Sequence, residues 1–439
     1  MRKIKDSGVE WLGIIPETWD LVQLGSLFSE HKNKNTGMQS TNLLSMSYGN
    51  IIRKDINTSD GLLPDSFEGY NVIDDGDIVL RLTDLQNDQR SLRVGLSHER
   101  GIVTSAYVTL RKRNPAMNSQ FFYYLIHSYD MRKGFYGMGA GVRQGLNFAG
   151  VRKIMMTLPS ADEQKTIADF LENKNAQVDT LITNVQAQIE KLKAYKQSLI
   201  TEIVTKGLET AVPMKDSGVE WIGDVPSHWT VIRLKHLYDH SNGSPVRVGP
   251  FGSALPSSEL TDEGTWVYTQ RTVLDHNFET NNTFVSPKKA DELSGFAVYP
   301  KDILVTTRGS IGKTAIVPDG APRGILHPCV IRFRINGKKM NNALLSCIFN
   351  ETNICLGQIM DMSNSTTIEV LYSYSLKEIW VPCPPIEEQE AIYMRICELM
   401  QKFDRLIAIK QSKIEKLEQY KRSLIYEYVT GKKEVPAHT

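Results

Sequence analysis

The chain has 439 residues, 41% of them hydrophobic and 23% charged, with a formal net charge of +1. That length exceeds one ordinary domain, and that balance excludes long disordered tails and low-complexity arrays. It disfavours a strongly basic, non-specific nucleic-acid binder but leaves room for local basic patches. No apolar run approaches the roughly 20 residues of a membrane helix. The basic residues at the start are followed by no apolar stretch, so no secretory signal is expected. All five cysteines (Cys329, Cys347, Cys355, Cys383, Cys397) lie in the second half without C-x-x-C spacing. This argues against a zinc knuckle or disulfide framework and fits a reducing cytoplasm.

In chain order, the first feature is a motif that returns. Residues 5–11 read KDSGVEW and so do residues 215–221, followed by Leu12-Gly13 against Ile222-Gly223, Pro16 against Pro226, and Trp19 against Trp229. A second repeat ends each half: residues 162–205 align without a gap on residues 387–430, with 19 of 44 positions identical. Two similarities in the same order make the chain a tandem duplication. The expected organisation is a globule over 1–157, a helix and linker over 158–212, a second globule over 213–382 and a second helix over 383–439.

Within each half, the stretch between opening motif and terminal repeat is rich in Gly, Ser, Thr and β-branched residues. Turn signals break it at Asp74-Asp75-Gly76, Asn242-Gly243, Asp319-Gly320 and Asn336-Gly337. This predicts strand-dominated α+β globules. Asp77-Ile78-Val79-Leu80 aligns with Asp302-Ile303-Leu304-Val305, and outside such strands the two copies have diverged. The terminal repeats behave differently. Leu171, Val178, Val185, Leu192 and Leu199 recur every seven residues, with Ile182, Ile189 and Ile203 on the same face. The copy carries Ile396, Phe403, Leu417 and Leu424, with Lys410 interrupting. No Pro or Gly lies between Ala161 and Lys206, which predicts a helix on the order of 65 Å long. Its apolar stripe needs a partner, and the other copy supplies one. Pro159 and Pro384-Pro385 mark the helix starts.

Catalytic readings fail one by one. Thr307 through Thr314 ends in Gly-Lys-Thr, but Thr307 stands where a phosphate loop requires Gly, so a glycine turn between strands is expected. Gly137-Met138-Gly139-Ala140-Gly141 lacks the third fingerprint glycine, since Val142 occupies it, and reads as a loop. His236 and His240 lack a third metal ligand. Ser and Cys nucleophiles lack an elbow or a paired His, and Pro64-Asp65 has no Glu-x-Lys behind it. No Asn-Pro-Pro-Tyr or Asp-Pro-Pro-Tyr tetrapeptide is present. No catalytic residue and no metal site is expected.

Basic residues remain. Residues 81–113 carry Arg81, Arg90, Arg93, Arg100, Arg111, Lys112 and Arg113 against three acids, and residues 301–339 carry eight basic residues against Asp302 and Asp319. With Gln89, Gln144 and Gln270 they form the inventory that reads base edges: Arg to guanine, Gln to adenine. The candidate DNA contacts are Arg81, Arg90, Arg93, Gln144, Gln270, Arg271, Arg308, Ser310 and Lys313.

Two divergent globules, each followed by a near-identical long helix, with repeated DSGVEW openings and Pro-x-x-x-Glu-Gln helix starts at Pro159, Glu163, Gln164 and Pro384, Glu388, Gln389, resemble the specificity subunit of type I restriction–modification systems. The Gly76-Asp77-Ile78-Val79 strand fits the family, while Lys301 replaces the usual Gly in the second copy. The resemblance implies two mixed α/β target-recognition domains in pseudo-twofold arrangement, two helices packed as an antiparallel coiled coil, and no catalysis in this chain. It implies double-stranded DNA, two methyltransferase subunits and restriction (translocase) subunits as partners, with S-adenosylmethionine carried by the methyltransferases and no cofactor here. Two other classes stay open: a bipartite DNA-binding regulator without enzyme partners, and a coiled-coil adaptor that binds proteins only.

Overall fold

The computed structural model describes residues 2–57, 64, 66–85, 88, 91–136, 138, 145–241, 243–280, 282–362 and 370–436. They form two compact units, one of residues 1–186 with 411–439, the other of residues 187–410. The division cuts both long helices, so each globule folds together with half of each rod. This differs from the linear segmentation expected from the sequence.

The first unit holds a four-stranded antiparallel sheet of β1 (Phe28–Glu30), β2 (Ile78–Leu80), β3 (Val94–Leu96) and β4 (Val108–Lys112), in the order β1-β4-β2-β3. Helix α1 (Ser119–Met131) packs its aromatic face, Phe121 and Phe122, into the core beneath it. Strand β5 (Met155–Leu158) pairs with Asp20–Gln23 and leads into helix α2 (Ala161–Lys206). The second unit repeats this plan with β6 (Val246–Val248), β7 (Ile303–Thr306), β8 (Thr314–Ile316) and β9 (Val330–Phe333), in the order β6-β9-β7-β8. Helix α3 (Asn342–Glu351), strand β10 (Trp380–Cys383) and helix α4 (Ile386–Val429) follow. The copies diverge in a second layer. The second unit has a five-stranded sheet containing one parallel pair, Thr265–Tyr268 with Gly324–Leu326, where the first pairs Asn71–Ile73 with Gly101–Val103.

The repeated motifs are joints of this architecture. In each opening hairpin the Asp carboxylate accepts from a glycine amide, Asp6 from Gly8 at 3.0 Å and Asp216 from Gly218 at 2.9 Å. Trp19 and Trp229 are buried, and their indole N–H groups donate to Glu163 at 2.8 Å and Glu388 at 3.0 Å. The neighbouring Gln164 accepts from Asn118 N–H, and Gln389 from Asn341 N–H; these two asparagines cap α1 and α3. The helices end on Gly207 and Gly431, both left-handed, and each glycine abuts the ring of Trp229 or Trp19 respectively, so a Cβ there would meet it at 3.0 or 3.1 Å.

Leu171, Val178, Val185, Ile396, Phe403 and Leu424 are buried, while Leu192, Leu199 and Leu417 are half-buried. Within the first unit the helices run antiparallel, with Phe170 against Tyr428 and Lys421 paired to Asp179 at 2.6 Å. Within the second, Tyr195 meets Phe403 and Lys196 pairs with Asp404 at 3.2 Å. The two ion pairs occupy matching positions of the duplication. Lys410, which breaks the apolar row, donates to Gln188 at 2.6 Å. No helix among the described residues is long and apolar enough to cross a membrane.

The Gly76/Lys301 difference between the copies has a backbone consequence. Gly76 has φ 85°, and a Cβ there would lie 3.1 Å from Ser119 Oγ; Lys301 holds φ 68° with a side chain. Left-handed backbone penalises residues with a Cβ. Gly76→Ala is therefore expected to lower unfolding stability by about 1 kcal/mol, whereas Lys301→Gly is neutral or stabilising by up to about 1 kcal/mol. Urea denaturation of the two variants checks the opposite signs.

Candidate nucleic-acid interface

In both units the loop that leaves the central strand is held by the same bond. Leu146 N–H donates to Leu82 O at 2.9 Å in the first, and Leu371 N–H to Thr307 O at 2.7 Å in the second. Each bond brings the segment before the last short helix against the turn after β2 or β7. The candidate residues group around these two places.

In the second unit, β7 and β8 form an antiparallel pair joined by the turn 307–313. The Gly-Lys-Thr sequence runs into a strand, so it is the expected glycine turn and not a phosphate loop. Gly309 and Gly312 are left-handed, at φ 60° and 78°. Buried Thr306 closes the turn: its hydroxyl donates to Ser310 O and accepts from Lys313 N–H. Arg308, Gly309 and Ser310 project into solvent, and Arg308 has no ion pair among the described residues. Gln270 opens a short helix capped by Thr269, and a Cβ on Gly309 would stand 3.5 Å from its amide nitrogen. Gln270 and the turn are thus neighbours. Arg271 is 81% exposed and pairs with Asp275, which caps the end of its helix, at 3.1 Å. Lys313 is more constrained than expected, because its ammonium donates to Asn350 O at 2.9 Å.

The first unit corrects the reading of the arginines. Arg93, expected at the DNA surface, is fully buried. Its guanidinium donates to the carbonyls of Arg81, Thr83, Asp84 and Asp88 and to the Tyr136 hydroxyl. It is the internal post on which the loop after β2 is hung. Arg81 is partly exposed and lies 3.7 Å from Asp88. Arg90, Gln89, Gln144, Asp65, Asn242, Gly137 and residues 139–142 of the glycine-rich loop lie outside the described residues.

Other members of the basic clusters are tied to buried carboxylates. Arg111 Nε donates to buried Asp77 at 2.8 Å, and Arg334 Nε to buried Asp302 at 2.7 Å. This explains the repeated Asp-Ile strand start: its carboxylate receives an arginine from the neighbouring strand. His31, Asp74 and Asp77 bring potential metal-ligand atoms within 4.8 Å of one another, but the Arg111 guanidinium already neutralises both carboxylates.

Sequence reasoning missed the aromatic residues beside the loops. Tyr372 and Tyr374, directly after Leu371, are 53% and 66% exposed and stack at 5.3 Å. Tyr48, 74% exposed, tips the hairpin turn whose Gly49 abuts Leu92. The Tyr-x-Tyr spacing at Tyr372 and Tyr374 was the available signal. Exposed aromatics next to arginines offer stacking and cation–π surfaces for bases.

Behind the first loop, Asp130 accepts from Arg93 N–H at 2.6 Å. Burial pushes its carboxyl up to about 6, against partial relief from Arg93 and Lys133. Above that pH the folded unit must hold a buried carboxylate at a cost, and stability from this group rises as pH falls through 6 towards the unfolded value near 4. Asp130→Asn should stabilise the protein at pH 7.5 by about 2 kcal/mol, with the gain gone by pH 4. Thermal unfolding across that range checks it.

Comparison with known proteins accords with this geometry. The type I restriction modification DNA specificity domain family matches residues 16–191 and 227–419. The type I restriction enzyme MjaVIII specificity subunit of Methanocaldococcus jannaschii is 24% identical over 426 residues, covering 95% of this chain and 93% of its own. The EcoBI specificity subunit of Escherichia coli is 24% identical over 287 residues, covering 64% and 59%. A solved chain from work on complex assembly and conformational transition of the type I R-M system superposes with a TM-score of 0.65 at 15% identity, covering 94% of this chain and 98% of that one. The duplicated globules, the paired helices and the matched family together place this chain among the specificity subunits of type I restriction–modification systems, where it serves DNA recognition.

Proposed function

We propose that each unit reads one half of a bipartite DNA target. The observation that carries this is the duplicated loop anchor, Leu82–Leu146 and Thr307–Leu371, which presents different side chains at one structural position in each copy. A fixed backbone frame with variable exposed residues suits base readout, since phosphate contacts position and base-edge contacts specify. In the second unit the readers are Arg308, Ser310 and Gln270, with Arg271 and Lys313 nearer the backbone phosphates. In the first, Arg81 is a candidate whose carbonyl the Arg93 guanidinium holds, and Arg90 and Gln144 are candidates from the sequence alone.

The chain itself supplies recognition and no chemistry. Methyltransferase subunits, carrying S-adenosylmethionine, and restriction subunits dock on it and act at the sites it selects. The family membership and the paired helices support this over a regulator or an adaptor without enzyme partners.

The test is to assemble the Arg308→Ala variant with its methyltransferase subunits and map the methylated sites. Loss of one bidentate base contact is worth about 1–3 kcal/mol, so preference should relax at one position of one half-site while the other half is unchanged. Equal relaxation in both halves would refute independent reading.

The paired helices are proposed to set the spacer between the half-sites. Inserting four residues near Gln186 lengthens the helix by about 6 Å and turns its apolar stripe only slightly. At about 3.4 Å per base pair, the recognised spacer should grow by one or two base pairs. A two-residue insertion rotates the stripe by about 200° and should abolish activity. An active four-residue variant that keeps the parental spacer would show that the helices do not set the distance.

A further inference from the structure

At the end of β7 remote from the Arg308 turn, the second unit contains an open cleft of about 740 Å³. Its walls carry Arg247, Tyr299, Lys301, Arg332, Arg334 and Asn342. The arrangement is electrostatically unfavourable as it stands. Arg247 on β6 stands directly across the ladder from Arg332 on β9, and like charges in that position repel. Arg334, two residues on, shares the face of Arg332 and lies over the Tyr299 ring at 4.8 Å.

The negative charge available is insufficient. Asp302 is the buried carboxylate of the cleft, and it serves Arg334 at 2.7 Å and Arg332 at 3.5 Å. Asp239, also in the wall, is turned to Ser241, whose N–H and hydroxyl both donate to it. Arg332 is only 5% exposed, and its Nε has no hydrogen-bond partner among the described residues. Burial holds its guanidinium below the usual range, and Arg334 and Arg247 push the same way against Asp302.

Two further features suit an anion. Asn341 and Asn342 of the wall open the 10-residue helix α3, whose amino end adds partial positive charge. The side-chain oxygen of Asn342 is buried without a partner among the described residues, and its amide is held on Lys301 O at 3.1 Å. That oxygen can accept a hydrogen bond from a hydroxyl on the same ligand. The first unit lacks the charge: Thr109, opposite Val79, occupies the place that Arg332 holds opposite Leu304. The cleft is a property of the second copy.

We propose that this cleft binds a phosphoryl group, with Arg247 and Arg332 as its principal donors and Lys301, Arg334 and the amino end of α3 around it. A phosphoryl oxygen between the two facing guanidiniums removes their repulsion and satisfies the orphan Nε. The group comes either from the DNA backbone or from a free phosphate ester.

The experiment titrates the full-length chain with pyrophosphate by calorimetry, alongside Arg247→Gln and, as a control outside the cleft, Arg323→Gln. Arg247 is exposed and faces Arg332, so its replacement relieves their repulsion and should leave the thermal midpoint unchanged or slightly raised. Saturable binding is expected for the parent and for Arg323→Gln, weakened at least about tenfold by Arg247→Gln, as loss of a charge-assisted contact implies. A second arm measures duplex DNA binding against salt. If pyrophosphate displaces the duplex and Arg247→Gln lowers the salt slope by about one, the phosphoryl group is DNA's. If both bind together, it belongs to a free ester. Arg247→Gln indistinguishable from the parent in both arms overturns the proposal. The pyrophosphate arm needs no DNA recognition, so it stands or falls apart from the half-site reading.

Discussion

Gln164 and Gln389 are buried in the first turns of the two long helices, and each ties separate pieces of backbone together. Gln164 accepts from Asn118 N–H at 3.0 Å and donates to Pro159 O at 2.9 Å. Gln389 accepts from Asn341 N–H at 2.7 Å and donates to the carbonyls of Lys339 and Pro384. In dry surroundings each of these groups would be expensive to leave unpaired. The amide therefore fixes where each rod begins relative to the helix capped by the asparagine, and through it the sheet that helix packs against. The adjacent Glu163 and Glu388, receiving the indoles of Trp19 and Trp229, add the opening hairpin to the same joint. Rod, cap helix and hairpin meet at two adjacent residues, which explains why both survive in both copies.

The same logic sorts the arginines. A net charge of +1 spread over a DNA-recognition subunit means that position matters more than total charge. Arg93, Arg111 and Arg334 neutralise or organise the interior, and Arg332 is largely buried beside Asp302. What is left for nucleic acid is a smaller, exposed set centred on Arg308, next to Gln270 and the stacked pair Tyr372 and Tyr374. Composition cannot separate these populations, because an arginine beneath a loop and one upon it are the same letter.

Much of the fold was nevertheless legible. The seven-residue rows read directly onto the helix seam because side-chain direction on a helix is fixed by position alone. Even the polar interruption at Lys410 finds a partner on the other helix, Gln188. The glycine turn at 307–313 was legible because Thr307 breaks the phosphate-loop spacing and strands flank it. Illegible were contacts made by the path of the folded backbone: Arg93 reaching four carbonyls of its own loop, or Arg111 reaching Asp77 across a strand pair. The division of each rod between two units was hidden too, since it follows from antiparallel pairing in space.

The duplication contains information that neither copy holds alone. Pairs kept in both, such as Asp77 with Arg111 and Asp302 with Arg334, turn out to be internal. The Leu82–Leu146 and Thr307–Leu371 bonds likewise hold a frame and touch no ligand themselves. Positions that differ at matched places are where the copies diverge: Asn147 against Tyr372 beside the loop anchor, and Thr109 against Arg332 on the central sheet. A duplicated fold under a single packing constraint must retain the first class, since losing either partner of a buried ion pair strands the other charge. The second class is free to change as long as the frame holds. Function is therefore to be sought where the halves disagree over a backbone on which they agree.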